Sequence, residues 1–313
     1  MNLNARAAAL CLHAADDAER LRIEFHTLEC GAKVIDCGVK AVGGLQAGLL
    51  LARVCMADLA TIELAPSGEP LQPHVQVYTD QPSLACMASQ YAGWEVKGEK
   101  FFAMGSGPMR AAAAREPLFD DLNYREQAPE CVGVLESGKL PTDAVCQDIA
   151  AKCGVEPSQL TLLVAPTRSL AGSLQVVARS VETALHKLHE LKFDLNRMIS
   201  GWGVAPLPPP AKDDLAAIGR TNDAILYGGH AILHVRGDDA SLQEIGALTP
   251  SSASKDYGRP FADIFAGYGH DFYQIDPHLF SPAMVTFINI ETGNSFRFGQ
   301  LNADVLAASF GVS

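Results

Sequence analysis

TRSLAGSLQVVARSVETALHKLHELK, residues 167–192, is the stretch from which the fold and the chemistry of this chain are read. Leu174, Val177, Ala178, Val181, Leu185 and Leu188 recur with a period of 3.6 and form one apolar arc, the pattern of a helix packed on a core. Gln175, Arg179, Glu182, His186 and His189 follow one another at steps of four and three, so one continuous helix would stack them on a single face. Two readings of that stripe stand open. It is a solvated face carrying a weak Arg179/Glu182 ion pair. Alternatively it lines a cleft, where a carboxylate three residues from a guanidinium is a poised base and two histidines carry protons or hold a substrate.

Working outward, 313 residues give one large domain or two ordinary ones, and two fit better. With 48% hydrophobic and 19% charged residues the chain has the make-up of a soluble globular protein, and no run is apolar enough to cross a bilayer. Leu45 to Leu59 comes closest, but Arg53 and Asp58 interrupt it. Arg6, His13, Asp16, Asp17 and Glu19 stand where the apolar core of a secretory leader would be, so none is expected. The eight cysteines contain no CxxC or CxxxC pair, which argues against a zinc ribbon or a dithiol redox site and for reduced thiols packed in the interior. A formal charge of −12 argues against nucleic acid as a partner, because phosphate neutralisation needs clustered Lys and Arg. An anionic ligand would need a local basic pocket.

Helical and strand patterns alternate along the chain without an internal repeat. Residues 2–24 read as an Ala-rich amphipathic helix, EFHTLEC and KVIDCGV as a hairpin divided at Gly31, and 45–58 as a helix. TIELAP and HVQVYT read as strands separated by the turn PSGEP, 82–92 as a helix, and KFFAMGSG as a strand. The polar, proline-containing stretch 115–130 marks a boundary, giving α/β domains at 1–120 and 121–313, with the C-terminal strands free to return to the first. Then come strand CVGVLES, a helix capped by Thr142 and stopped by Gly154, and the buried strand LTLLVAPT. GWGVAPLPPP reads as irregular and 212–219 as a short helix. Strand AILHVR, helical segments between 239 and 266, strands MVTFINI and SFRFGQ around the turn ETGN, and a helix from Asn302 complete the chain.

Three further places invite chemistry. In MGSGPMRAA, residues 104–112, Gly105 and Gly107 open a helix whose N-H groups could face an anion or a carbonyl-rich ring. The stretch is neither a P-loop nor a dinucleotide fingerprint, and a tight strand-to-helix turn explains it equally well. KDDLAAIGRTNDAILYGG, residues 212–229, crowds Lys212, Asp213, Asp214, Arg220, Thr221, Asn222 and Asp223 around one helix and its exit, with Asp213 as a cap and TND as a turn. Glu182, His186 and His189 could together hold a metal, although their E-x3-H-x2-H spacing matches neither helical zinc nor di-iron templates.

These segments, in order, resemble the methenyltetrahydromethanopterin cyclohydrolase family: YAGWEVKGEKFFAMGSGPMRA, TRSLAGSLQVVARSVETALHKLHEL, GWGVAPLPP, KDDLAAIGRTNDAILYGG and DPHLFSPAMVTFINIETGNSFRFG. The likeness covers nearly the whole chain. It implies a cytoplasmic homotrimer of subunits with two α/β domains built on mixed sheets, the pterin lying in an interdomain cleft. It implies reversible hydrolysis of the cyclic methenyl cation of tetrahydromethanopterin to the N5-formyl derivative, in the one-carbon metabolism of methanogens and methylotrophs, with no metal, nucleotide, prosthetic group, nucleic acid or membrane. The family's R-x-x-E falls on Arg179 and Glu182. Glu182 is then expected to activate water and Arg179 to position it and tune its basicity. Gly105, Ser106, Gly107, Pro108, Lys212, Arg220, Thr221 and Asn222 become expected pocket walls. The anionic tail of the pterin asks for some of Arg110, Arg168, Lys212 and Arg220 to be drawn together. Two alternatives remain beside this one: a metal-dependent hydrolase using Glu182, His186 and His189, and a pterin-binding protein without turnover.

Overall fold

A computed structural model describes residues 1–66 and 72–311. Its strands, in chain order, are β1 (Glu24–Thr27), β2 (Lys33–Asp36), β3 (Thr61–Ala65), β4 (His74–Thr79), β5 (Trp94–Gly98), β6 (Phe101–Ser106), β7 (Cys131–Glu136), β8 (Leu160–Ala165), β9 (Met198–Pro206), β10 (His230–Val235), β11 (Met284–Asn289) and β12 (Ser295–Gly299). They form two six-stranded mixed sheets, so the fold is α/β as the alternating patterns imply. The chain divides into two compact units, the first Met1–Ala60 with Leu84–Gln175, the second Thr61–Ser83 with Val176–Ser313.

In the first unit the strand order is β1-β2-β8-β7-β6-β5. β2, β8 and β7 run parallel to one another, and antiparallel hairpins flank them on both sides. The central strands β7 and β8 are buried at every position but Glu136 and Thr161, because both faces are covered. Ile35, Val132, Val134 and Leu163 pack with the helices Leu3–Asp16 and Leu45–Cys55. Val34, Leu135, Leu162 and Val164 pack with Met109 and the helix Asp143–Cys153. The last helix begins and ends as its sequence dictates: Thr142 Oγ1 accepts the Val145 N-H at 3.4 Å, and Gly154 takes the left-handed conformation that stops it.

The second unit has the order β12-β11-β10-β9-β4-β3, and β10 and β11 are the one parallel pair among the described strands of this unit. Here buried and half-buried residues alternate along β10 and β11, so one face is packed and the other is not. The helix Ser180–Glu190 lies across β9, β10 and β4 on the packed face. A second cluster, Tyr227, Phe261, Phe265 and Ile275 with Phe272 and Phe280, joins the helices Asp214–Leu226 and Phe261–Gly267.

The structure departs from the sequence reading in two informative places. GWGVAP is not irregular: it is the heart of β9, paired with β10 on one side and β4 on the other. Glycine and proline lower strand propensity, but the strand is chosen by its neighbours, and irregular chain begins only at Leu207. The polar stretch 115–130 lies inside the first unit. Its Glu126 turns inward, accepting the N-H groups of Leu3 at 2.7 Å and Asn4 at 3.0 Å to cap the first helix, so polarity there marks a cap and not a boundary near residue 120. The hairpin β3–β4 pairs as read, but its PSGEP turn lies, apart from Pro66, outside the described residues.

Candidate active site

The run 167–192 forms two helices, Leu170–Val177 and Ser180–Glu190, rather than one. At the break Arg179 takes φ −95° and ψ 11° as the N-cap of the second helix. Periodicity could not show this, because every residue of the apolar arc is buried on either side of the break. Gln175 therefore leaves the stripe: it belongs to the first unit, where its Nε2 donates to Glu136 Oε1 at 3.3 Å.

What remains is a short constellation on the first turn of the second helix. Arg179 Nη1 and Glu182 Oε2 stand 4.0 Å apart, and their side chains are only 6% and 5% exposed. Charges so far removed from water persist only in pairs, which disposes of the solvated-face reading. Glu182 is in the first helical turn, where the exposed ends of backbone N-H dipoles also favour an anion. The turn is drawn tight by Thr183, whose hydroxyl donates to the Arg179 carbonyl at 3.0 Å. One turn on, the half-buried His186 places Nε2 3.8 Å from Glu190 Oε1, and His189 is half-buried as well. Among the described residues, the set whose ligand atoms could surround a metal ion lies elsewhere, at Glu24, His26 and Asp36. Both Asp36 oxygens there already accept backbone N-H groups, from Gly38, Val39, Lys40 and Ala41, at 2.6 to 3.1 Å.

The other expected site residues fall into two groups. Gly105, Ser106, Gly107 and Pro108 are all buried, in the first unit. A side chain at Gly105 would meet Met109 Cε at 2.8 Å and the Trp94 carbonyl at 3.1 Å, so a glycine here serves close packing. The Gly107 N-H donates to the Ser89 carbonyl at 2.8 Å, and the Pro108 carbonyl accepts from Asn4 Nδ2 at 3.1 Å. Arg110 is fully enclosed: it pairs with Glu116, donates to the Met87 carbonyl at 2.8 Å, and lies over the rings of Tyr91 and Phe119. It is a structural cation, not one held out for an anionic tail. Arg168, also of the first unit, is exposed.

Lys212, Arg220, Thr221 and Asn222 belong to the second unit. Asp213 caps the helix Asp214–Leu226 as read, accepting the Ala216 N-H at 2.8 Å, but the helix runs straight through TND. The Thr221 hydroxyl and the Asn222 amide bond back to carbonyls one turn earlier, at 2.9 Å each, which lets polar residues sit inside a helix. Arg220 donates to the carbonyls of Pro209, Pro210 and Ser309. Lys212 is exposed.

Two buried titratable groups of this unit were not legible in the sequence. Lys187, on the Glu182 helix, donates from Nζ to the His278 carbonyl at 2.6 Å, and burial pulls its pKa down to about 8 against the pull of Asp276. Asp223 accepts the Phe261 N-H at 2.8 Å, and burial pushes its carboxyl up to about 7, against its bonds to Ser309 and Phe261. Each sits within an otherwise polar run, so nothing local distinguishes it from a surface residue.

Fold and site define an α/β protein whose second unit presents a desolvated carboxylate beside a guanidinium, a pair suited to proton transfer. The chain belongs to the cyclohydrolase (MCH) family, whose model matches residues 2–310. It is 48% identical to a methenyltetrahydromethanopterin cyclohydrolase of Methylobacillus flagellatus over 316 aligned positions, covering 100% of this chain and 96% of the relative. A protein of the same name from Rhodopirellula baltica is 50% identical over 289 positions, with 90% and 87% covered. That of Methanococcoides burtonii is 42% identical over 316 positions, with 100% and 99% covered. No described helix is long and apolar enough to cross a membrane.

Proposed function

We propose that this chain catalyses the reversible hydrolysis of methenyltetrahydromethanopterin to its N5-formyl derivative, with Glu182 as general base and Arg179 as its positioning partner. The support is the end-to-end likeness to relatives of that name, together with the burial of this pair on one helical turn.

The chemistry asks for little more. The methenyl bridge is an amidinium, so its single carbon is electrophilic without metal activation. Glu182 takes one proton from a water as the oxygen bonds to that carbon, giving a neutral hydroxy adduct. The bond to N10 then breaks, N10 receives the proton held on Glu182, and the adduct hydroxyl loses its proton as the formyl C=O forms. One proton is released overall. Arg179 fixes the carboxylate and favours its charged form, which weakens it as a base, while desolvation acts in the opposite sense. The substrate cation adds to the first effect as it binds.

The test follows loss of the methenyl chromophore. Glu182→Gln keeps the shape but cannot accept a proton, and removal of a general base costs about 10² to 10⁴-fold in rate. A Glu182→Gln protein that opens the methenyl ring as fast as wild type would sink this assignment. The proposed reaction uses no metal, nucleotide or prosthetic group, so turnover is expected to survive exhaustive chelation. On the same family likeness the working form is proposed to be a cytoplasmic homotrimer, and light scattering that returns a monomer mass would overturn that.

A further inference from the structure

We infer that Gly201 and Gly203 of β9 are positioning residues for the Arg179/Glu182 pair: they are the floor on which the first turn of its helix rests, and added methyl groups there would lift the pair out of register. The inference rests on the reading of Arg179 and Glu182 given above.

Gly201 and Gly203 alternate with Trp202 along β9, so both face the same side of the sheet, the side on which the helix Ser180–Glu190 lies. Both occupy the middle of the sheet. Gly203 is opposite Ala231 on β10 and Val77 on β4, and Gly201 is opposite Leu233 and Thr79. Backbone pairing on both sides leaves the strand little room to yield. A Cβ on Gly203 would overlap Ser180 Oγ and stand 2.9 Å from Val181 Cγ2 and 3.1 Å from Ser180 Cβ. A Cβ on Gly201 would stand 2.7 Å from Val181 Cγ1. Ser180 and Val181 are the two residues between Arg179 and Glu182, so whatever they rest on sets the height of both.

Neither glycine has a left-handed φ, so backbone conformation does not require them. Glycine weakens a strand interior, and it is kept where another backbone must come close. Ser180 tells the same story from the other side. It is wholly buried, its hydroxyl has no hydrogen-bond partner among the described residues, and it is small. Close approach, rather than a polar contact, is what this position serves.

The test compares kcat, KM and thermal unfolding of the full-length protein carrying Gly203→Ala, Ser180→Gly/Gly203→Ala, Gly246→Ala or Glu182→Gln. Gly246 packs against the Phe298 ring, on a different helix of the same unit, and reports the cost of a methyl group placed in a tight spot away from the pair. Misplacing reacting groups by about 1 Å costs about 10²-fold, so Gly203→Ala is expected to lose about that much in kcat with KM little changed. The double variant, which removes the Ser180 side chain that the methyl group strikes hardest and leaves only the Val181 Cγ2 contact, is expected to recover most of kcat. Gly246→Ala is expected to keep kcat while losing stability. If Gly203→Ala does not fold, Gly201→Ala, with Val181→Ala as its restoring partner, carries the same comparison. The inference is overturned if Gly203→Ala turns over like Gly246→Ala at equal loss of stability, or if the folded double variant stays slow. Glu182→Gln keeps the two failures apart: a fast Glu182→Gln removes the assignment of the pair, while a slow Glu182→Gln with a fast Gly203→Ala removes only the role of the floor.

Discussion

Arg110 in the first unit and Arg179 in the second are both withdrawn from solvent and both stand beside a glutamate, yet their surroundings differ in kind. The Arg110 side chain has 0% exposure and is closed on every side, by Glu116, by two backbone carbonyls and by two aromatic rings. Arg179 and Glu182 are 4.0 Å apart on a helical turn seated above a glycine strand. The first arrangement has every group matched in place, as a fold needs. The second holds opposite charges near one another on a single helical turn, as proton transfer needs. Sequence treats the two alike, since both are an Arg with a Glu a few residues on.

The contrast breaks most sharply at Arg110. Arg110→Met leaves the Glu116 carboxylate and the Met87 and Ser89 carbonyls facing an apolar chain, and should cost about 3–5 kcal/mol of stability, read as a fall in Cm at unchanged m. If the protein unfolds as wild type does, the closed site is not structural. Arg179→Ala should show the opposite balance, with kcat down about 10²-fold and a smaller loss of stability. An equal or larger loss of stability would place Arg179 with Arg110.

Asp223 sharpens the comparison further, being a buried carboxylate with no guanidinium assigned to it. Its carboxyl is pushed up to about 7 from an ordinary 3.8, so as pH rises the unfolded chain loses this proton first. Wild type therefore loses stability from about pH 4 to about pH 7, with no further change above. Asp223→Asn should open a stabilisation across that window, on the order of 2 kcal/mol at pH 8 after the burial cost of the amide, and none near pH 4. A gain that does not depend on pH would mean that the charge is not what burial penalises. The smallest effect belongs to Ser180→Ala. It removes an unsatisfied hydroxyl, and should leave stability unchanged or raise it by up to about 1 kcal/mol with kcat intact.

How much could be read in advance follows from which forces are local. The hairpin at Gly31, the capped helix 143–153 and the doubly buried β7 and β8 depend on residues that carry their own signals: a left-handed glycine, a Thr cap and largely apolar runs. The R-x-x-E of Arg179 and Glu182 was legible for the same reason, since three residues of one helical turn fix the distance between them. β9 was misread because its pattern of small residues answers to a helix packed on it and not to its own propensity. The break before Ser180 was hidden because both sides of it are equally apolar. The buried states of Lys187 and Asp223 depend on residues far along the chain, at His278 and Phe261, where no local pattern reaches.

All eight cysteines lie in the first unit and none in the second. Seven are buried, and burial pushes the thiols of Cys11 and Cys146 up to about 12, so the intact unit offers little thiolate to an alkylating reagent. Timed alkylation read by mass spectrometry would thus report the opening of one half of the molecule while the other stays silent. The unmodified protein is, in effect, already labelled for watching one of its halves open on its own.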